Sequence, residues 1–276
     1  MIKPALHQTI TDTLNHMFIE PHRYSFRGSS LPYCAVHDCI VRCQTKTNTV
    51  PMRQTKFEWR LAADIGTTIH ALLQKAMSER GTIYGTWKCP HCKAVYGMSV
   101  GPVRCTQTEC SRPICEYVEL EVLDPASGFS GHVDCLIPHE GGFILCDFKT
   151  IYRKKLSKLQ LDHKHRCQVF AYKYLLQRPP YNLDIRGQAV VYFPREDVSL
   201  FEIIEMENDD LSEAEFIRYT KHKAAADAAM LSGKLSGLTG LCSHRTDQPF
   251  CPYNALCFGP DRSTNLDGVW QRTVQG

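Results

Sequence analysis

From Phe57 to about Arg80 the apolar residues Phe57, Leu61, Ile65, Ile69, Leu72, Leu73 and Met77 recur at steps of three and four, and Gly81 follows. That period belongs to an amphipathic helix with one face against a core, stopped by a residue without a side chain. Further along, three runs read as strands: Tyr117 to Leu123, Gly131 to Pro138 and Gly142 to Lys149. A Glu-Gly-Gly turn signal separates the last two. A helix with Cys167, Phe170, Ala171, Tyr174 and Leu175 on its apolar side comes next, followed by strands from Ile185 to Phe193 and from Leu200 to Met206. A capping box, Ser212 to Glu215, opens a helix running to about Leu231. The order helix, three strands, helix, two strands, helix predicts an α/β fold with a central mixed sheet flanked by helices. Ser29-Ser30-Leu31-Pro32 adds a short N-terminal helix carrying Cys34.

Composition narrows the class. A hydrophobic fraction of 43% and a charged fraction of 22% over 276 residues describe an ordinary folding chain with a sizeable core. No apolar run approaches the roughly 18 residues that span a bilayer, and Met1-Ile2-Lys3-Pro4 lacks a signal-peptide core, so a cytosolic protein without a membrane partner is expected. The net charge of +3 permits a polyanion partner without requiring one. Fourteen cysteines say more, because a reducing compartment has no use for a dense disulfide framework. Metal ligation is the leading expectation, apart from Cys135, Cys146 and Cys167, whose apolar neighbours make them core fillers.

Candidate chemistry lies on the second and third strands. With a two-residue loop at Glu140-Gly141, His139 faces Gly142 and Asp134 lies opposite Asp147, while Lys149 points to the same face two residues on. A loop at Gly141-Gly142 would set Asp134 opposite Lys149 and keep all three together; a three-residue loop would separate Asp134. Two carboxylates about 5 Å apart repel unless a cation or a shared proton intervenes. Hard oxygen ligands suit Mg²⁺ or Mn²⁺, and a lysine beside them suits phosphodiester hydrolysis. A salt-bridged strand pair is the plain alternative.

Four motifs then carry a resemblance. Gly131-His132-Val133-Asp134 and Asp147-Phe148-Lys149-Thr150 resemble the core of the PD-(D/E)XK nuclease superfamily. Gly66-Thr67-Thr68-Ile69-His70 resembles the Gly-x-x-x-His helix motif of its RecB-type branch, and Gln168-Val169-Phe170-Ala171-Tyr172 its Gln-x-x-x-Tyr motif. The resemblance implies a restriction-endonuclease-like core and a metal-dependent deoxyribonuclease. It places His70, Asp134, Asp147 and the Phe148 carbonyl on the metal, makes Lys149 catalytic, and lets Gln168 and Tyr172 position Lys149 or DNA. Spacing agrees, since Gly66 with His70 and Gln168 with Tyr172 each share a helix face.

Cys34, Cys242, Cys251 and Cys257 resemble the iron–sulfur staple of AddB-type nucleases and CRISPR-associated RecB-like exonucleases, although eight residues separate Cys242 from Cys251 and make a longer loop than that pattern has. A 4Fe-4S cluster or zinc would suit these thiolates, with Cys39 as a substitute ligand. In the middle, Cys89-Pro90-His91-Cys92 with Cys105 and Cys110 reads as a zinc ribbon, with Cys115 open as a replacement ligand. The expected parts are therefore an N-terminal helical part (1–86), a zinc-ribbon insertion (87–116), a nuclease core (117–232) and a C-terminal cysteine-ligated segment (233–276). The branch implies single-stranded DNA or free DNA ends as substrate, exonuclease over endonuclease, and a place in recombination, repair, replication or phage DNA metabolism in a prokaryotic or phage-infected cell. A replication or recombination protein is an expected partner. Tyr152, Arg153, Lys154, Lys155, Lys158, Lys164 and Arg166 form a basic cluster next to the catalytic strand that could track a phosphate backbone. A non-catalytic nucleic-acid-binding or assembly protein working through its zinc ribbon is the alternative function.

Overall fold

The computed structural model describes residues 57–111, 113–125 and 129–207, the short stretches 8–9, 19–20 and 53–54, and individual helical positions between 214 and 232. The chain divides into two compact units. In the first, which gathers residues 1–25, 32–62 and 217–276, the two-residue strands β1 (Ile19–Glu20) and β2 (Arg53–Gln54) pair antiparallel. The expected helix carrying Cys34, and Cys34, Cys39, Cys242, Cys251 and Cys257 themselves, lie outside the described residues.

The second unit, residues 26–31 and 63–216, holds a mixed sheet. Helix α1 (Phe57–Glu79) leads through Gly81 into β3 (Tyr84–Lys88) and β4 (Val95–Val100). There follow β5 (Glu116–Val118), β6 (Leu120–Asp124), β7 (Phe129–Val133), β8 (Cys135–His139) and β9 (Gly142–Ile151). Helix α2 (His163–Leu176) crosses to β10 (Ile185–Pro194), which turns into β11 (Glu202–Glu205). The main sheet runs β11-β10-β9-β8-β3-β4, with β5 also on β3, and β6 and β7 form a separate ribbon. Only β9 and β10 pair parallel among the described strands, as a crossover helix between them requires.

Alternation along β9 explains the layers. Cys146 and Phe148 join a core with Cys135, Ala189, Val191 and Phe193, and Ile69, Leu73 and Met77 of α1 pack against it. The intervening residues face the other way, and α2 packs against β9, β10 and β6. The sheet thus carries α1 on one face and α2 on the other, the mixed α/β fold expected from the sequence. Cys135, Cys146 and Cys167 are buried, as core-filling cysteines should be.

Two strands expected as continuous are each broken at one residue. The run from Tyr117 to Leu123 divides at Glu119, and the run from Gly131 to Pro138 divides at Asp134. At both points the chain passes between the main sheet and the β6–β7 ribbon, so hydrophobic alternation continues while the pairing partner changes. No described helix is long and apolar enough to cross a membrane.

Candidate active site and cysteine cluster

The β8–β9 hairpin sets the centre. His139 pairs with Gly142 and Cys135 with Cys146, the register that a Glu140-Gly141 loop demands. Both loop residues have positive φ, 47° and 80°, as a two-residue turn matched to strand twist requires. One step beyond that ladder, Asp134 Oδ2 accepts a hydrogen bond from the Phe148 amide at 2.7 Å. This clips the first aspartate beside the strand that carries the second. Asp147 is 1% exposed, and its Oδ2 is ion-paired with the Lys149 ammonium.

Helix α1 brings His70 to the same place, with Nδ1 at 3.6 Å from Asp134 Oδ2. Its close approach depends on Gly66, where an added Cβ would stand 2.9 Å from Thr150 Oγ1. The imidazole also meets the Phe148 ring edge-on. From the other face, α2 begins at Asp162, whose side chain accepts from the Lys164 amide as an N-cap. Most of this helix is buried, so its polar side chains pair with one another: Gln168 Nε2 donates to Tyr172 Oη at 3.1 Å. The Tyr172 ring fills the space where Gly131 has no side chain.

Burial dominates the electrostatics. It pushes Asp147 up to about 7, against the lowering effect of Lys149 and with the help of Asp134. The same cause lifts Asp134 to about 6, although Lys149 and the Phe148 amide oppose it. His70 is held below the usual histidine range by burial and by the Lys149 charge. Two desolvated carboxylates and the His70 imidazole are thus gathered around Lys149. Asp147 Oδ1 is buried and has no hydrogen-bond partner. A buried carboxylate oxygen without a donor is costly unless a cation takes its place, so the donor set fits a hard divalent metal.

Three residues around this centre escaped the sequence reading. Gln74 lies four residues after His70 on α1, and continuing the Gly66–His70 stripe by one more turn finds it. Glu119 could not be found that way, because its position depends on the strand break. His165 lies one turn before Gln168 and Tyr172 on α2. Its Nδ1 is 2.9 Å from Tyr192 Oη, and burial together with Lys149 holds its pKa down to about 4.

The second cluster is built of sulfur. Cys89, Cys92, Cys105 and Cys110 place their thiols within 4.8 Å of one another. The knuckle closes through Cys89 and Ala94, whose backbones bond at 2.9 Å, with Lys93 at a positive φ of 62°. The second pair is presented by Cys105, whose amide bonds to Pro113, and Cys110, whose amide bonds to Gln107. Cys89 to Cys110 and Cys92 to Cys105 are both 3.6 Å apart. Four thiolates on one tetrahedral zinc stand about 3.8 Å apart, so the cage fits a metal of that size. Tyr96 Oη donates to Cys105 Sγ at 3.1 Å, lowering that thiol's pKa. Cys115 is buried nearby but is not one of the four.

The basic segment after β9 forms a 3-10 helix, Arg153–Lys158, with Arg153, Lys154, Lys155 and Lys158 exposed. Tyr152 lies under the Arg195 guanidinium, 4.7 Å from its ring centre.

The sequence model of the PD-(D/E)XK nuclease superfamily matches residues 98–258, more than half of the chain. No curated protein matches it. Among solved structures, the crystal structure of SSO0001 is similar at 15% identity and a TM-score of 0.38, over 79% of this chain and 86% of that one.

Proposed function

The chain belongs to the PD-(D/E)XK nuclease superfamily, and from that premise we propose that it is a Mg²⁺- or Mn²⁺-dependent DNA nuclease acting from the ends of single strands. The observation that carries the metal centre is Asp147: a carboxylate 1% exposed, with one oxygen lacking any hydrogen-bond donor and the other against Lys149. Asp134, Asp147, His70 and the Phe148 carbonyl would hold the ion. A divalent cation bound there supplies Lewis acidity to the scissile phosphate and lowers the pKa of a coordinated water. The protein's own groups do the rest. Lys149 orients the attacking water and steadies charge developing on the phosphate. The Phe148 amide holds the Asp134 carboxylate in place, with His70 beside it, and Gln168 with Tyr172 pack the α2 face of the centre.

DNA as substrate, end dependence and single-strand preference rest on the resemblance to iron–sulfur RecB-type exonucleases, and the exposed basic segment beside β9 supports a strand path leading to the site. In the same reading Cys89, Cys92, Cys105 and Cys110 hold a structural Zn²⁺. Cys34, Cys242, Cys251 and Cys257 hold a 4Fe-4S cluster. The test compares labelled linear and circular single-stranded DNA with Mn²⁺ and with EDTA. Mononucleotide or short-oligomer release from linear DNA alone, abolished by EDTA, is expected; equal cleavage of circles overturns the exonuclease reading, and no cleavage of either overturns the nuclease.

A further inference from the structure

The two broken strands meet. In the β6–β7 ribbon Leu120 pairs with Val133, so one step further the register sets Glu119 opposite Asp134. Both residues occupy one-residue gaps where the chain changes sheets, and there the strand ladder leaves backbone groups unpaired. Gln74 of α1 fills this gap. Its Nε2 donates one hydrogen to the Asp134 carbonyl at 2.9 Å and the other to Glu119 Oε1 at 2.8 Å. Tyr117 Oη adds a donor to the same carbonyl at 3.3 Å. Gln74 is 8% exposed, so both its donors are withdrawn from most of the water, where leaving them unpaired is expensive.

We propose that Gln74 and Glu119 are positioning residues of the metal centre: Gln74 fixes the main chain of Asp134 and holds Glu119 there as a third negative charge. This rests on the reading of Asp134 and Asp147 as metal ligands. One helix then meets one aspartate at both ends: His70 Nδ1 stands 3.6 Å from its carboxylate, and Gln74, a turn later, bonds its carbonyl. Asp134 sits at a strand break with no ladder partner of its own, so its direction depends on this grip more than that of Asp147, which lies within β9. Glu119 has one oxygen on Gln74, leaving its charge fixed beside Asp134 and adding to the field that attracts a cation.

The test measures Mn²⁺ bound to the whole protein by the loss of the free-ion electron paramagnetic resonance signal, alongside thermal unfolding and cleavage as a function of Mn²⁺. Gln74→Met keeps the volume and removes both donors. Glu119→Gln keeps an acceptor for Gln74 and removes the charge. Each should weaken Mn²⁺ binding, by about tenfold or more for Gln74→Met as outer-sphere substitutions do, and each should raise the Mn²⁺ needed for half-maximal cleavage. Wild-type Mn²⁺ affinity in both variants, with only the unfolding temperature lowered, overturns the inference and leaves a structural bond. If Gln74→Met does not fold, Glu119→Gln alone decides on the same reading. Wild-type protein that neither binds Mn²⁺ nor cleaves DNA would instead sink the nuclease reading itself.

Discussion

Asp147 and Asp134 are raised by burial to about 7 and about 6, so between pH 4 and 7 the folded protein holds protons that the unfolded chain releases. For an acid raised in this way, the stability it contributes is full below pH 4 and is lost as pH rises through the folded value. A metal that needs both carboxylates ionised competes with those protons. Stabilisation by saturating Mn²⁺, read as the rise in unfolding temperature, should therefore be larger at pH 8 than at pH 6. An equal rise at both values would mean that the ion binds elsewhere. His70 is shifted the other way, downward, by burial and by Lys149. At the same scale, Gly131 faces Tyr172 with no room for a methyl group. Gly131→Ala should cost about 1–3 kcal/mol by overpacking, checked by denaturant unfolding; a neutral outcome would place Tyr172 elsewhere.

Among elements, α1, α2 and the β8–β9 hairpin were legible because each carries its own period and its own stop. Phe57–Glu79 ends where the apolar steps end, and the hairpin register follows from two residues able to take positive φ. Asp134, Asp147 and Lys149 could be brought together on paper for that reason alone. The breaks at Glu119 and Asp134 could not, since alternation along a strand says which face a residue shows and nothing of which strand it pairs with. Gln74 and Glu119 were hidden for the same reason. The spacing of Cys89 and Cys92 pointed to a cysteine cluster, and the thiols of Cys105 and Cys110 lie with theirs, while Cys115 is not one of the four. In the proposed reading a metal on those four thiols helps hold this segment in place. Cys92→Ser, or stripping with a strong chelator, should lower the unfolding temperature by on the order of 10 °C and release one zinc per chain on a colorimetric indicator. Full stability without metal would make the cluster four neighbouring thiols that need no ion.

At the scale of the whole molecule, the site draws on both faces of the sheet: α1, which carries His70, packs against the face that holds Cys146 and Phe148, and α2, which carries Gln168 and Tyr172, packs against β9 and β10. The expected iron–sulfur ligands, Cys34, Cys242, Cys251 and Cys257, lie outside the described residues, and their reading stays with the resemblance. Anaerobically purified protein should carry about four irons per chain and a broad absorbance near 400 nm, as thiolate-bound clusters do; a colourless, iron-free protein would remove that cofactor without touching the acid centre. The centre itself is tested most directly by Mn²⁺-dependent degradation of end-labelled single-stranded DNA in the wild type, Asp134→Ala and Lys149→Ala, each shown folded by its unfolding transition. Activity in the wild type and a loss of about a hundredfold or more in both variants is predicted, the scale on which removing one charge-stabilising group acts. Undiminished cleavage by either folded variant would contradict an active centre built on Asp134, Asp147 and Lys149.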